Sequence, residues 1–183
     1  MFQFLIPLLL GFALNSASAF TAFFSRRLGE RKGRLTTIIL RDLLGIPGWV
    51  VGYIMAARAD SPSLFDPIPI SSTLGWLLIL AGAVIILVGM LSLRWRAAAP
   101  SMQDSLVRRG IYAHIRHPLY TGVLLELAGL FLWVPKLSVL MACCLGAAWI
   151  LVQARLEELD LVQRLPAYKE YMRRVPRFIP RLH

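Results

Sequence analysis

The chain has 183 residues, of which 57% are hydrophobic and 16% charged, and its mean hydropathy of +0.64 excludes an ordinary water-soluble domain. With roughly 20 residues needed per membrane crossing, most of the length is spent on apolar spans, which leaves little for a separate soluble domain. The formal net charge of +10 sits between and after those spans, so it reads as membrane orientation and contact with lipid headgroups, and no nucleic-acid partner is expected.

The first apolar run, about Phe2 to Phe24, carries no charge. Ser16-Ala17-Ser18-Ala19 resembles a cleavage site, but no Lys or Arg precedes the run and it continues past Ala19, so a retained helix is expected. Asn15, Ser16, Ser18 and Thr21 suggest a face that packs on neighbours. The second run, about Leu35 to Ala57, has Arg41-Asp42 near its start and Pro47-Gly48 in its middle, which predicts a kinked helix. Asp60-Ser61-Pro62 and Asp66-Pro67-Ile68-Pro69 make the next loop short and stiff, and Ser71 to Leu93 forms an uncharged third span. From Pro118 to Ala154 the only charges are Glu126 and Lys136. That stretch is too long for one helix and suits two, joined by a turn at Trp133-Val134-Pro135-Lys136.

The expected fold is therefore all-α, an integral membrane protein of five transmembrane helices. Residues 1–183 read as one membrane domain, with a three-helix part over 1–103 and a helical hairpin with its tail over 104–183. Arg26, Arg27, Arg31, Lys32 and Arg34 lie after span one; Arg94, Arg96, Arg108, Arg109 and Arg116 lie after span three; the tail adds seven more basic residues from Arg155 to Arg181. The opposite side has Arg58 and Lys136. The positive-inside rule then places the C-terminus in the cytoplasm and the N-terminus outside; in a bacterium the membrane is the inner or plasma membrane. Cys143 and Cys144 are adjacent within an apolar run, where a mutual disulfide is strained and a metal lacks further ligands. No metal site is expected.

Function is sought on the cytoplasmic face, where the chain has length to spare. Pro118 suits the first position of a helix, with His117 just before it, and the free N–H groups there favour an anionic group. At the exit of span five, Gln153, Arg155, Glu157 and Glu158 continue as helix, while Tyr168 and Tyr171 can share a helical face. Antiparallel spans bring both clusters to one depth, where the tail after Pro166 covers a polar pocket.

The order Gly110-x-Tyr112-x-x-x-Arg116-His117-Pro118-x-Tyr120-x-Gly122, then Glu157-Glu158, then Tyr168-x-x-Tyr171-x-x-x-Val175-Pro176-x-x-x-Pro180 resembles the isoprenylcysteine carboxyl methyltransferase family. That family is similar in turn to phospholipid N-methyltransferases, and its Arg-His-Pro-x-Tyr region recurs in sterol reductases. The resemblance covers roughly Asp104 to Leu182. It implies an S-adenosylmethionine-dependent methyltransferase that releases S-adenosylhomocysteine, with the cofactor under the tail and a lipophilic or lipidated acceptor entering from the bilayer. Carried over, the cofactor contacts are Leu106, Val107, Tyr112, His117, Pro118, Leu119, Tyr120, Glu157 and Glu158. The family's substrate-facing arginine lies one helical turn before the glutamate; that place holds Gln153 here, with Arg155 two residues on.

The chemistry fits on its own terms. Displacement at a sulfonium methyl needs mainly proximity and alignment, worth up to about 7–11 kcal/mol, and neither a metal nor a covalent nucleophile. A carboxylate acceptor arrives ionised, as on the isoprenylcysteine that is the resemblance's type substrate, whereas an amine needs a base. Arg155 and Glu126 are the candidate catalytic residues, Glu126 because a charge deep in a span is costly without a role; pairing with Arg41 is its structural alternative. Phospholipid amines and small thiols are alternative acceptors, and a non-enzymatic lipid-binding module is the alternative of another class. Oligomeric state is not legible.

Overall fold

The computed structural model of the protein describes residues 2–93 and 105–181. In chain order its helices are α1 (Leu5–Ser18), α2 (Thr21–Leu28), α3 (Glu30–Ile38), a π-helical segment (Ile39–Gly45), α4 (Ile46–Arg58), α5 (Pro69–Leu93), α6 (Pro118–Trp133), α7 (Leu137–Arg164) and α8 (Tyr168–Arg174). Among the described residues there is no β-strand, only an isolated antiparallel bridge between Ser63 and Lys136. Arg94, Arg96 and the boundary expected between 103 and 104 lie outside the described residues.

The first apolar run is two helices rather than one. Ala19 N–H turns back to Ser16 O at 3.1 Å, Phe20 leaves the helical region, and α2 departs at 64° to α1. The break is compensated from elsewhere: Ala22 N–H, free at the start of α2, donates to Asp160 Oδ1 of α7 at 2.8 Å, a capping interaction supplied across 138 residues of sequence. Composition along the run gives no sign of this, since the capping carboxylate belongs to another helix.

The second span is continuous through Pro47. Glu30 to Arg58 runs as 29 residues of helix, and the missing proline N–H is absorbed upstream by the π-helical turn, where Ile46 N–H reaches back to Arg41 O. Widening the turn makes room for the ring. By length and apolarity, Glu30–Arg58, Pro69–Leu93 and Leu137–Arg164 can each cross a bilayer, and the bent α1–α2 pair would be a fourth. The 16 residues of α6 rise only about 24 Å, short of the ~30 Å hydrocarbon core, so the expected five is not reached on length.

Two glycine seams set the packing. Gly75, Gly82 and Gly89 recur every seven residues on α5 and face Gly129, Gly122 and the Pro118–Leu119 turn of α6 in antiparallel order. A Cβ on Gly82 would stand 2.5 Å from Gly122 O, and one on Gly75 2.8 Å from Gly129 O. Such backbone approach is how helices gain dispersion and Cα–H···O contacts in lipid, where burial of apolar side chains offers no advantage. On the other side, Gly11 meets Gly48–Trp49, and Gly52 meets Leu8, joining α1 to α4. Helix α7 completes that group: Ser138 Oγ donates to Ala56 O at 2.7 Å, Trp149 Nε1 to Ser16 Oγ at 3.0 Å, and Phe12 stacks on Trp149 at 4.5 Å.

At one end the Ala59–Ile68 loop and the α6–α7 turn are pinned together. Leu64 N–H donates to Pro135 O and Leu137 N–H to Pro62 O, at 2.7 and 2.9 Å. Lys136 Nζ caps the last carbonyls of α4 through Ala57 O and Ala59 O, each at 3.1 Å, a cation at a helix C-terminus. The α5–α6 pair and the α1–α4–α7 group thus meet through the hairpin and leave a cavity between them. Gly82→Leu should lower stability by about 1–3 kcal/mol through overpacking, read as a lower unfolding midpoint in detergent. Ala83→Leu, one position round on the exposed face, should leave the midpoint unchanged.

Candidate functional site

The site begins at a turn that needs glycine. Gly110 has φ +62°, a left-handed conformation that other residues adopt only with strain, and it turns the chain so that Tyr112 is buried and its carbonyl accepts from Tyr171 Oη at 2.6 Å. Four and five residues after Tyr112, the backbone N–H groups of Arg116 and His117 donate to Pro176 O and Arg177 O at 2.9 and 3.0 Å. Thr121 Oγ1 donates to Phe178 O at 2.8 Å. The tail is therefore a strap fastened across the start of α6, where His117 is the cap and Pro118 the first helical residue.

Glu158 holds that strap. Its side chain is 1% exposed and bonds His117 Nε2 at 3.1 Å, Arg177 Nε at 3.0 Å and Arg177 Nη2 at 2.6 Å, with Arg116 Nη1 at 3.2 Å. The bond to Glu158 holds the Arg177 guanidinium above its already high proton affinity. One position back, Glu157 is a third exposed and accepts from Tyr120 Oη and from Gln153 Nε2, the latter at 3.1 Å. His117 lies between the two carboxylates, its Nδ1 3.9 Å from Glu157 Oε2, and its ring stacks on Tyr120 at 5.5 Å.

Behind this cluster opens a mainly apolar cavity of about 1040 Å³, at the upper end of small-ligand sites. Of the residues expected from sequence, Leu106, Val107, Tyr112, His117, Pro118, Leu119, Tyr120, Glu126 and Glu157 are on its wall. Glu158 is not: it lies beneath the wall as the clamp. Arg155 is misplaced as a catalytic residue, because two residues of helix rotate it about 200° from Gln153 onto the exposed face of α7. Arg41 is paired bidentately with Asp42 at 2.7 and 3.0 Å. Glu126 has no hydrogen bond or ion pair among the described residues and faces the cavity. Tyr112, Tyr168 and Tyr171 also line the cavity; burial raises all three phenols, Tyr171 to about 12, so each keeps its proton at neutral pH.

Three features escaped the sequence reading. Arg177 supplies the strap's charge, and only its place between Pro176 and Pro180 hinted at a fixed conformation. Asp160 and Arg164 pair at 2.7 Å on the cavity wall, and their spacing of four was a readable sign. The Arg41–Asp42 pair lines the same cavity, although it lies far from the motif.

The profile of the phospholipid methyltransferase family matches residues 70–167, which contain α5, the hairpin and both carboxylates. The chain is 32% identical over 154 residues to the cobalt-zinc-cadmium resistance protein CzcN of Cupriavidus metallidurans, covering 81% of this chain and 68% of that protein. It is 32% identical to the nickel-cobalt-cadmium resistance protein NccN of Alcaligenes xylosoxydans xylosoxydans, covering 81% and 69%. Over 75 residues it is 39% identical to methanethiol S-methyltransferase 2 of Bradyrhizobium diazoefficiens, covering 39% and 27%. No solved structure matches the chain. With the clamp of Arg116, His117 and Glu158 and the Tyr120–Glu157 bond all inside the matched segment, the chain belongs to the phospholipid methyltransferase family, the broad group of membrane methyltransferases to which its motifs pointed.

Proposed function

We propose that the protein transfers a methyl group from S-adenosylmethionine to a lipophilic acceptor, from a pocket on the cytoplasmic side of the membrane, under the C-terminal tail. The reading has the N-terminus outside and counts five crossings, with α6 a short one. The observation that carries it is at Arg116. Its side chain is 9% exposed and ion-paired with Glu158 at 3.2 Å, yet neither Nε nor Nη1 makes a hydrogen bond among the described residues, and the residue lines the cavity beside partly exposed Glu157. A buried guanidinium short of acceptors and a carboxylate with an oxygen to spare fit an amino-acid carboxylate and an amino or ribose donor group.

The bound cofactor would supply an electrophilic methyl on sulfur. Arg116 and the N–H groups at the start of α6 hold the carboxylate end; Glu157, oriented by Tyr120 and Gln153, holds the donor end. Leu106, Val107, Pro118 and Leu119 enclose the apolar parts, and the strap excludes water. Deeper in the cavity Glu126 is placed to take a proton from a neutral nucleophile. A thiol acceptor is favoured, since one relative is named a methanethiol S-methyltransferase. The isoprenylcysteine-like carboxylate is the second reading; it rests on the motif resemblance and needs a cation that Arg155 does not bring to the cavity.

S-adenosylhomocysteine at a hundred times its Kd should stabilise the solubilised protein by about 2.7 kcal/mol, seen as a raised unfolding midpoint. No shift sinks the cofactor assignment, and a shift with NADPH instead would favour the reductase resemblance. His117→Ala and Glu157→Gln should each cost about 1.5–3 kcal/mol of that binding. Incubation of dodecanethiol, dodecylamine and dodecanoate with methyl-labelled S-adenosylmethionine should label the thiol first. Loss of that labelling in Glu126→Gln is expected; unchanged turnover removes Glu126 from the chemistry.

A further inference from the structure

Apart from the large cavity, the chain encloses a small recess of about 70 Å³ lined by Ala113, His114, Arg174, Pro176 and Arg181. Two segments frame it. On one side the short helical turn Gly110–Ala113 is closed by the His114 and Ile115 N–H groups, both donating to Ile111 O at 3.1 Å, which places His114 on the wall. On the other, Val175 N–H donates to Tyr171 O at 3.0 Å and ends α8 at Arg174, while Pro176 O accepts from Arg116 N–H. The recess therefore sits on the seam where the strap meets the entrance of α6.

No carboxylate lines the recess. The side chains of His114 and Arg181 make no hydrogen bond or ion pair among the described residues. Arg174 pairs with Glu170, but both side chains are more than half exposed, and so open an ion pair competes weakly with a ligand. Two guanidinium groups and an imidazole, which donates at least one N–H in either charge state, match the several oxygens of a phosphate. An apolar neighbour points to what carries that phosphate. Ile179, two residues before Arg181, is 77% exposed, and basic side chains beside an exposed aliphatic one suit a surface resting on anionic headgroups.

We infer that this recess binds a phosphate group, with an anionic lipid headgroup as the favoured source and free phosphate as the other, and that the bound group ties the loop before α6 to the strap. The site stands independently of the methyl-transfer reading. A phosphate held at once by His114 and by Arg174 and Arg181 spans the same seam as the backbone bonds from Arg116 and His117 to Pro176 and Arg177. It adds a further tie to the strap.

The test takes the full chain in two settings: neutral-detergent micelles titrated with inorganic phosphate, and nanodiscs of phosphatidylcholine with or without phosphatidic acid. Calorimetry reads binding in the first and native mass spectrometry reads retained lipid in the second. In both, hydrogen exchange at the Arg116 and His117 amides reads the tie. At roughly ten times Kd that exchange should slow about ten-fold, because the ligand binds only the fastened form. His114→Ala and Arg181→Ala, both at exposed positions and so compatible with the fold, should each weaken binding about ten-fold and lose the protection in proportion. Arg173→Ala removes an equal charge from the exposed face of α8 outside the recess, and should change binding by no more than about two-fold. A response to inorganic phosphate makes the anion alone sufficient; a response to phosphatidic acid only, weakened further by Ile179→Ser, makes the lipid the ligand. Losses as large in Arg173→Ala as in Arg181→Ala overturn the proposal, as do binding without slowed exchange and the absence of any response in both settings.

Discussion

A carboxylate removed from water has to be surrounded by donors or it destabilises whatever encloses it. Glu158 is in that position, and the three side chains that meet it come from the loop before α6, from its cap and from the tail. The helix exit of α7 can therefore be satisfied only when the start of α6 and residues 176–178 are in place. Backbone bonds from Arg116 and His117 to the same tail residues make the requirement mutual. Most of the site geometry follows from this one ion cluster: His117 is fixed in azimuth, which fixes the stacked Tyr120, which in turn orients Glu157 toward the cavity.

The adjacent carboxylates divide the work because a helix separates neighbours by about 100°. Glu158 faces the strap and is consumed by it; Glu157 faces the cavity and keeps an oxygen open. A single glutamate could not both anchor the tail and offer itself to a ligand, since each role needs the same lone pairs. The same rotation explains why Arg155 cannot substitute for an arginine at position 153. Gln153 occupies the inward place and turns its amide to Glu157, so it orients that carboxylate rather than meeting an anion.

Much of this was legible in the sequence, for a physical reason. The hairpin from Pro118 to Ala154 was announced by length, by Pro118 and by the turn at Val134–Pro135, all local signals, and nine of the expected wall residues lie on the cavity. What was missed depends on partners distant in sequence. The break after Ser18 is set by Asp160, and the run from Phe2 to Phe24 carries no mark of it. The heptad of Gly75, Gly82 and Gly89 was visible, but its meaning needed Gly122 and Gly129 opposite. Pro47 was read as a disturbance of the helix, and its effect is a π-helical turn upstream of the ring.

The glycine seams bear on function as well as on packing. A chain with so few helices can hold a cavity of about 1040 Å³ only if the contacts around it are unusually close, since a void forfeits dispersion that must be recovered elsewhere. Backbone-to-backbone approach along α5–α6 and α1–α4 supplies that density at the edges and leaves the middle open. The walls then divide by origin. Residues of α6, α7 and the strap bring the ionic cluster, while α1 and α4 bring aromatic and apolar surface through Phe12, Ile46, Trp49 and Tyr53. Charge held by one set of elements and apolar surface by another give a single cavity both ionic and lipophilic contacts.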